Sequence, residues 1–380
     1  MGFLYDEGGV QLFAEDGVTP LYDEGGPDNP GSDVPAPDIP TVDWTWVLGY
    51  AAPLTTEIRE LTGAYGRSIT ARLDGPWTAQ FTIDGRSEEA AAITALATDL
   101  HVYRDGIKVF RGRICTESDA VDETRHVTSF TAKDYRGMLG HRRIGVDGLT
   151  FVGEDQAEIA WQLVRYTQLL ANGNWGITNG VGSTSGTNRD RTYDPLKPIL
   201  DAMTELGNVE GGFEWEIDAN LALNRWFPYR GVQSPDIRLD YGGRVTAFTR
   251  LLQPNDFGNY ALASGAESTS PTFAVGAGLT TDPRGRWEVA TSNPSIIEQN
   301  TLQGKANWLR DQAQVLRPEI AVTLAPGRWG GMTDIGLGDQ VRMGLQSGRL
   351  AELTTERVVE ITMVPGDSGG ETIRMGLVAV

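Results

Sequence analysis

The sequence predicts a mainly β fold of the α+β class: two tube-like antiparallel β-barrel or sandwich domains, an α/β insertion between them, and an extended N-terminal arm. Three observations carry this. Apolar and polar residues alternate within residues 46–150 and again within 236–380, the apolar spacing turns helical between 151 and 235, and residues 1–45 are dominated by glycine, proline and acids.

The arm comes first. Residues 1–43 hold six prolines, seven glycines and ten acids with no base, so they carry −10 of the net −19 while the 337 residues that follow carry −9. Three similar units stand at the start: Leu4-Tyr5-Asp6-Glu7-Gly8, Leu12-Phe13-Ala14-Glu15-Asp16-Gly17 and Leu21-Tyr22-Asp23-Glu24-Gly25. One apolar pair every eight or nine residues is too sparse for a core, but it suits short extended segments docking on a neighbouring sheet edge. That makes Leu4, Tyr5, Leu12, Phe13, Leu21 and Tyr22 candidate inter-subunit contacts; the alternative is a solvated acidic tail. Residues 27–40 read as an extended linker.

In the first β segment Trp77, Ala79, Phe81 and Ile83 alternate with Thr78, Gln80 and Thr82. Leu100 to Arg104 and Ile107 to Ile114 flank Asp105-Gly106, the dipeptide of a tight hairpin turn. His126 to Ala132 gives another strand, and Asp134 to Arg143 a short helical segment. In the insertion, Ile159, Leu163, Tyr166 and Leu170 fall on one helical face behind Glu154, Asp155 and Glu158. Asp194 as cap, Pro195 at the first position and the stripe Leu196, Ile199, Leu200, Met203, Leu206 before Gly207 predict a second helix. Phe213 to Ile217 and Leu221 to Leu223 make a hairpin. The last segment is read as strands interrupted by one helix over 295–316, with Leu302, Ala306, Leu309, Ala313 and Leu316 inward. It closes with strands at 320–324, 341–345, 358–364 and 372–378.

Composition removes whole classes of function. A net charge of −19 argues against a nucleic-acid or polybasic membrane surface. One cysteine, Cys115, and three histidines, His101, His126 and His141, give no disulfide and no zinc cluster, so no metal and no cofactor is expected. No run of 18 apolar residues and no basic-then-apolar start predicts neither a membrane span nor a signal peptide. Gly366-Asp367-Ser368-Gly369-Gly370 matches the string around the nucleophile of chymotrypsin-like proteases. Only 12 residues follow Ser368, however, and no histidine sits in that family's setting, so the string reads as a hairpin loop and the chain as no enzyme. Among the ten tryptophans, Trp77 and Trp215 fall on inward strand phases and Trp161 and Trp308 beside helix stripes, where burial is expected. Trp44, Trp46, Trp175 and Trp329 lie near loops or linkers and are candidate contact residues, Trp44 and Trp46 with another subunit.

The strand Trp77 to Ile83 leading into Leu100 to Ile114, then Phe130-Thr131-Ala132-Lys133-Asp134-Tyr135-Arg136-Gly137-Met138-Leu139, resembles the baseplate hub, or minor tail, proteins of long-tailed bacteriophages. Gly336-Leu337-Gly338-Asp339-Gln340-Val341-Arg342 and Glu356-Arg357-Val358-Val359-Glu360-Ile361 resemble the "Gly-Asp-x-Val, then Arg-Val" close of such proteins. The resemblance spans about residues 46–380. It implies a homotrimer in which each chain gives two β domains to a ring, so that three chains match a six-fold tail tube. Above would sit a distal tail or tail tube protein, below tail fibre or tip proteins, and the lumen would pass tape-measure protein and DNA in transit. It also implies a place in the virion tail tip, assembled in the bacterial cytoplasm without membrane insertion by this chain, and leaves wall digestion to another protein. Two other readings compete: a receptor- or carbohydrate-binding tip protein using the loop tryptophans, and a serine hydrolase using Ser368.

Overall fold

The computed structural model describes residues 2–3, 22–23, 42–209, 211–233, 237–252, 257–267, 269–276, 281–292, 296, 298–314, 318–324, 335–348, 350–366 and 370–380. The chain divides into two units, Met1–Pro40 and Thr41–Val380. In the first, Gly2–Phe3 pairs antiparallel with Tyr22–Asp23, Phe3 opposite Tyr22.

In the second unit, alternation becomes strand. Within Thr78–Asp84 the side chains of Ala79, Phe81 and Ile83 are buried and Gln80 is exposed, as a sheet with one packed face requires. Asp105 and Gly106 take φ of 49° and 75°, the pair of positive values a two-residue hairpin turn needs, and join Thr98–Arg104 to Ile107–Val121. The same turn anchors the start of the strand Trp44–Tyr50, because Asp105 exchanges hydrogen bonds with the backbone of Asp43.

The strands assemble into one 13-stranded sheet. Its path runs Val245–Leu251, Glu319–Leu324, Glu371–Ala379, Leu350–Pro365, Tyr65–Arg72, Thr78–Asp84, His126–Asp134, Ile107–Val121, Thr98–Arg104, Trp44–Tyr50, Glu57–Glu60, with Gln340–Ser347 and Arg238–Asp240 branching from Leu350–Pro365. Among the described residues no pairing joins the two outer strands, so the barrel closure expected from sequence does not form within one chain. The reason lies at Tyr65–Arg72. The edge that would close the first β segment on itself instead pairs with Leu350–Pro365, Ile69 opposite Met363 and Ala71 opposite Ile361. One core serves both β segments: Trp46, Leu48, Phe81, Phe110 and Ile114 belong to the same buried cluster as Val322, Val341, Ile361 and Met375.

The insertion keeps its own core. Helices Gln156–Leu169 and Ile199–Gly207 pack through Ile159, Leu163, Met203 and Leu206 onto Trp215 and Leu223 of the hairpin Glu214–Ile217/Ala222–Trp226. The first helix is capped by Asp155, whose carboxylate accepts from Ala157 N. The second starts later than its sequence suggests, with Pro198 rather than Asp194 at the N-cap. Residues 194–198 are drawn off to pair with Arg143 and Ile144, which leaves Leu196 at φ 65° and exposed instead of on the apolar stripe.

The last β segment, expected as strands interrupted by one helix, carries a third module with a sheet and core of its own. The predicted interrupting helix is Gln299–Ala313, and it packs on a three-stranded sheet of its own, Thr272–Val275, Tyr260–Ser264 and Glu288–Ser292, through Ala261, Ala263, Ala274, Leu302 and Ala306. The strands that flank the module in sequence, Val245–Leu251 and Glu319–Leu324, pair with each other.

Candidate assembly surface

Two features of the second unit bear on assembly: its open sheet edges, and the joints that hold its modules rigid enough to present them. At one edge all four residues of Glu57–Glu60 are exposed. Glu57 ties this strand inward by accepting the Tyr103 hydroxyl at 2.6 Å, which holds the Glu57 carboxyl below its usual range, while burial and that bond push the Tyr103 phenol up to about 12. His101 lies beside Glu57, Nδ1 3.6 Å from Oε1, and full burial pushes its imidazole down to about 4. Arg59 adds an ion pair to Glu88 at 2.9 Å. At the other edge Val245–Leu251 pairs with Glu319–Leu324 on one side, and among the described residues no other strand of the large sheet flanks it. Unpaired backbone groups along such strands are templates for another chain.

The seam between the β segments is crossed by side chains as well as by the ladder. Arg72 Nε donates to Glu360 Oε2 at 2.8 Å, Thr70 and Thr362 hydroxyls lie 3.2 Å apart, and Arg104 grips Glu371 with Nε at 2.9 Å and with Nη2. Arg104 and Glu371 are mostly buried, and the carboxylate in turn raises the guanidinium's affinity for its proton.

A buried charge group joins the first β segment to the insertion. Asp99 accepts from Arg111 Nε at 3.0 Å, from Ala52 N at 3.1 Å and from the Tyr135 hydroxyl at 2.8 Å. Burial pushes the Asp99 carboxyl up, and the charge of Arg111 opposes that shift. Arg113 and Arg142 stand over the ring of Trp175, at 5.6 and 4.7 Å from its centroid.

The insertion meets the last β segment at the Gly-Asp-x-Val motif. Gly338 takes φ 89°, and a Cβ there would lie 2.5 Å from Arg230 O. Asp339 caps the bend by accepting from Gly336 N at 2.7 Å and Val232 N at 2.6 Å. Arg357 donates through Nε to Gly338 O at 2.9 Å and through both terminal nitrogens to Glu214, whose other neighbour is Arg230 N at 2.8 Å. The motif is a joint, and its residue types follow from backbone approach and charge pairing rather than from chemistry on a substrate. Among the described residues no three of His, Cys, Asp and Glu converge as metal ligands.

Of the candidate contact residues, Leu4, Tyr5, Leu12, Phe13 and Leu21 lie outside the described residues, and Tyr22 is described only as strand. Trp44 is half-buried with Arg104 over its ring. Trp46 is 1% exposed and packs edge-on to Phe81, so its indole is spent in the core. Trp175 is also buried, whereas Trp308, expected inside, is 53% exposed. Trp329 and Ser368 lie outside the described residues. The joint residues Glu214, Asp99, Arg104 and Glu371 carry no local signal in the sequence, because their partners Arg357, Arg111 and each other come from other strands.

No family model matches the sequence, and no curated protein does. Solved structures do. The prophage MuSo2 43 kDa tail protein from Shewanella oneidensis superposes with a TM-score of 0.63 at 13% identity, over 89% of this chain and 98% of that one. The chain has the fold of phage tail proteins. The tail protein from Neisseria meningitidis MC58 gives a TM-score of 0.62 at 11% identity, covering 88% and 96% of the two chains. Prophage tail protein gp18 from Listeria monocytogenes EGD-e gives 0.55 at 13%, covering 87% and 94%. This tail-protein fold therefore takes in the large sheet and both inserted modules.

Proposed function

We propose that the chain is a structural subunit of a phage tail, the baseplate hub, and not an enzyme. The observation that carries the reading is the large sheet whose outer strands have, among the described residues, a strand partner on one side only, in a fold shared nearly end to end with phage tail proteins. Copies paired edge to edge, Glu57–Glu60 of one against Val245–Leu251 of the next, would make a closed wall from open sheets. Three chains with two β segments each present six, matching a six-fold tube above, with fibre or tip proteins below. The wall would surround the path of tape-measure protein and DNA. A body charge of −9 with four lysines suits a wall that DNA crosses without being held. The N-terminal arm, through its three Leu-aromatic pairs, would add short strands to a neighbouring tail protein.

Imaging of intact tails at a resolution that counts chains tests this: the reading expects one ring of three copies at the tip end, and six copies or a position along the shaft overturns it. Deletion of residues 2–40 should impair tail assembly, and unchanged assembly removes the role given to the arm. A fluorophosphonate probe should leave Ser368 unlabelled.

A further inference from the structure

A hollow of about 810 Å³ opens between the insertion and the third module, lined on one side by residues 207–209 and 211–214 with Pro228 and Tyr229, and on the other by the helix Gln299–Ala313. It lies apart from both open sheet edges. On the helix, Thr301, Gly304, Lys305 and Trp308 follow the i, i+3, i+4, i+7 spacing of one face, and all four line the hollow, while Leu302 and Ala306 face the module's core. Trp308 and Tyr229 are 53% and 59% exposed. A cation stands over each ring, Lys305 Nζ 4.0 Å from the Trp308 centroid and Arg357 Cζ 5.3 Å from that of Tyr229. A ring held by its own cation is a fixed platform rather than a free rotor, so little ordering remains to be done when something stacks on it.

The polar groups between the platforms have hydrogen-bonding capacity to spare, Lys305 being engaged, among the described residues, with the Trp308 ring alone. Among the described residues the side chains of Asn208, Thr301 and Lys305 have no hydrogen-bond or ion-pair partner. An amide and a hydroxyl can both donate to and accept from sugar hydroxyls, and an ammonium can donate to them. The exposed aromatic faces can pack on the C–H faces of sugar rings, and the volume is that of a ligand site.

We propose that this hollow binds a short oligosaccharide, with Trp308 and Tyr229 as stacking platforms and Asn208, Thr301 and Lys305 as hydrogen-bonding groups. The proposal is independent of the hub reading, since a ring subunit and a lone tip protein could each carry such a site. An array of neutral and acidic oligosaccharides, probed with the labelled full-length chain, tests it. A subset of glycans should be retained, and titration with one of them should quench tryptophan fluorescence. Trp308→Ala and Tyr229→Ala should each weaken binding about tenfold or more with unchanged thermal unfolding, because both side chains are largely exposed. Phe273→Ala, an exposed aromatic of the same module away from the hollow, should leave binding intact. Retention of no glycan overturns the proposal, and so does equal retention by the Trp308→Ala, Tyr229→Ala double variant.

Discussion

Arg357 and Glu214 meet through two parallel hydrogen bonds of 2.6 Å each, across 143 residues of sequence. The pair fastens the first strand of the insertion's hairpin to the longest strand of the large sheet, and both partners are mostly buried. Only a planar guanidinium can make both bonds at once while also reaching Gly338 O. Arg357→Lys should therefore behave nearly like Arg357→Ala, each costing about 1–3 kcal/mol in denaturant unfolding, reduced from the fully buried case by partial solvent access. A lysine variant as stable as the parent would show that the bidentate geometry contributes little.

Gly338 offers a sharper test of the same joint. Its φ of 89° strains any L side chain, and the added Cβ would press on Arg230 O, a backbone atom that cannot swing away. Gly338→Ala should destabilise the chain by about 1–3 kcal/mol or more, whereas Gly304→Ala, where a Cβ meets nothing, should leave stability unchanged or raised. Equal unfolding midpoints for the two variants would refute this.

Asp134 gives a pH signature. It caps the short helix Tyr135–Met138 through Gly137 N, and burial pushes its carboxyl up to about 7 against the pull of hydrogen bonds from Trp77 N and Gly137 N. The folded chain thus holds a proton that the unfolded chain releases at the ordinary value of 3.8. The resulting stabilisation is full below that value and is lost as pH rises through about 7. His101, pushed down to about 4, contributes the opposite slope, present above its ordinary 6.5 and lost as pH falls. The difference in urea midpoint between the parent and Asp134→Asn, followed from about pH 4.5 to 7.5, isolates the aspartate. It should shift steadily in the variant's favour as pH rises, and a flat difference would contradict the assignment.

The third module rests on one large side chain. Its buried cluster is four alanines and Leu302, so Leu302→Ala should remove about 2–5 kcal/mol from that module. Hydrogen exchange should then speed up along Tyr260–Ser264 and Gln299–Ala313 but not along Thr78–Asp84. Uniform acceleration over the whole chain would mean that the module and the large sheet unfold as one.

What could be read in the sequence was what is local. The turn at Asp105-Gly106 is written in the dipeptide, and the inward phases of Thr78–Asp84 and Glu371–Ala379 in their alternation. The tryptophans show where local reading stops. Trp46 and Trp175 sit near a linker and a loop yet are buried, because the large sheet closes over one and two arginines from other segments enclose the other. Trp308 sits beside an apolar stripe yet is exposed, because the stripe of that helix is satisfied by alanines on a narrow sheet. The helix start at Pro198 was hidden for the same reason: Ile144 competes for the backbone of residues 196–197. The pairing of Ile361 with Ala71, which turns two β segments into one sheet, depends on residues 290 apart and leaves no local trace.

The pairing of Val245–Leu251 with Glu319–Leu324 makes the stretch between them a cassette. Both ends of the module leave the large sheet side by side, Leu251 opposite Glu319, so the ladder of that sheet is the same whatever is hung from those two strands. A lineage could trade this cassette for another without redrawing the seam at Ile361 or the clamp at Arg357, so the module can vary while the sheet that carries it stays the same.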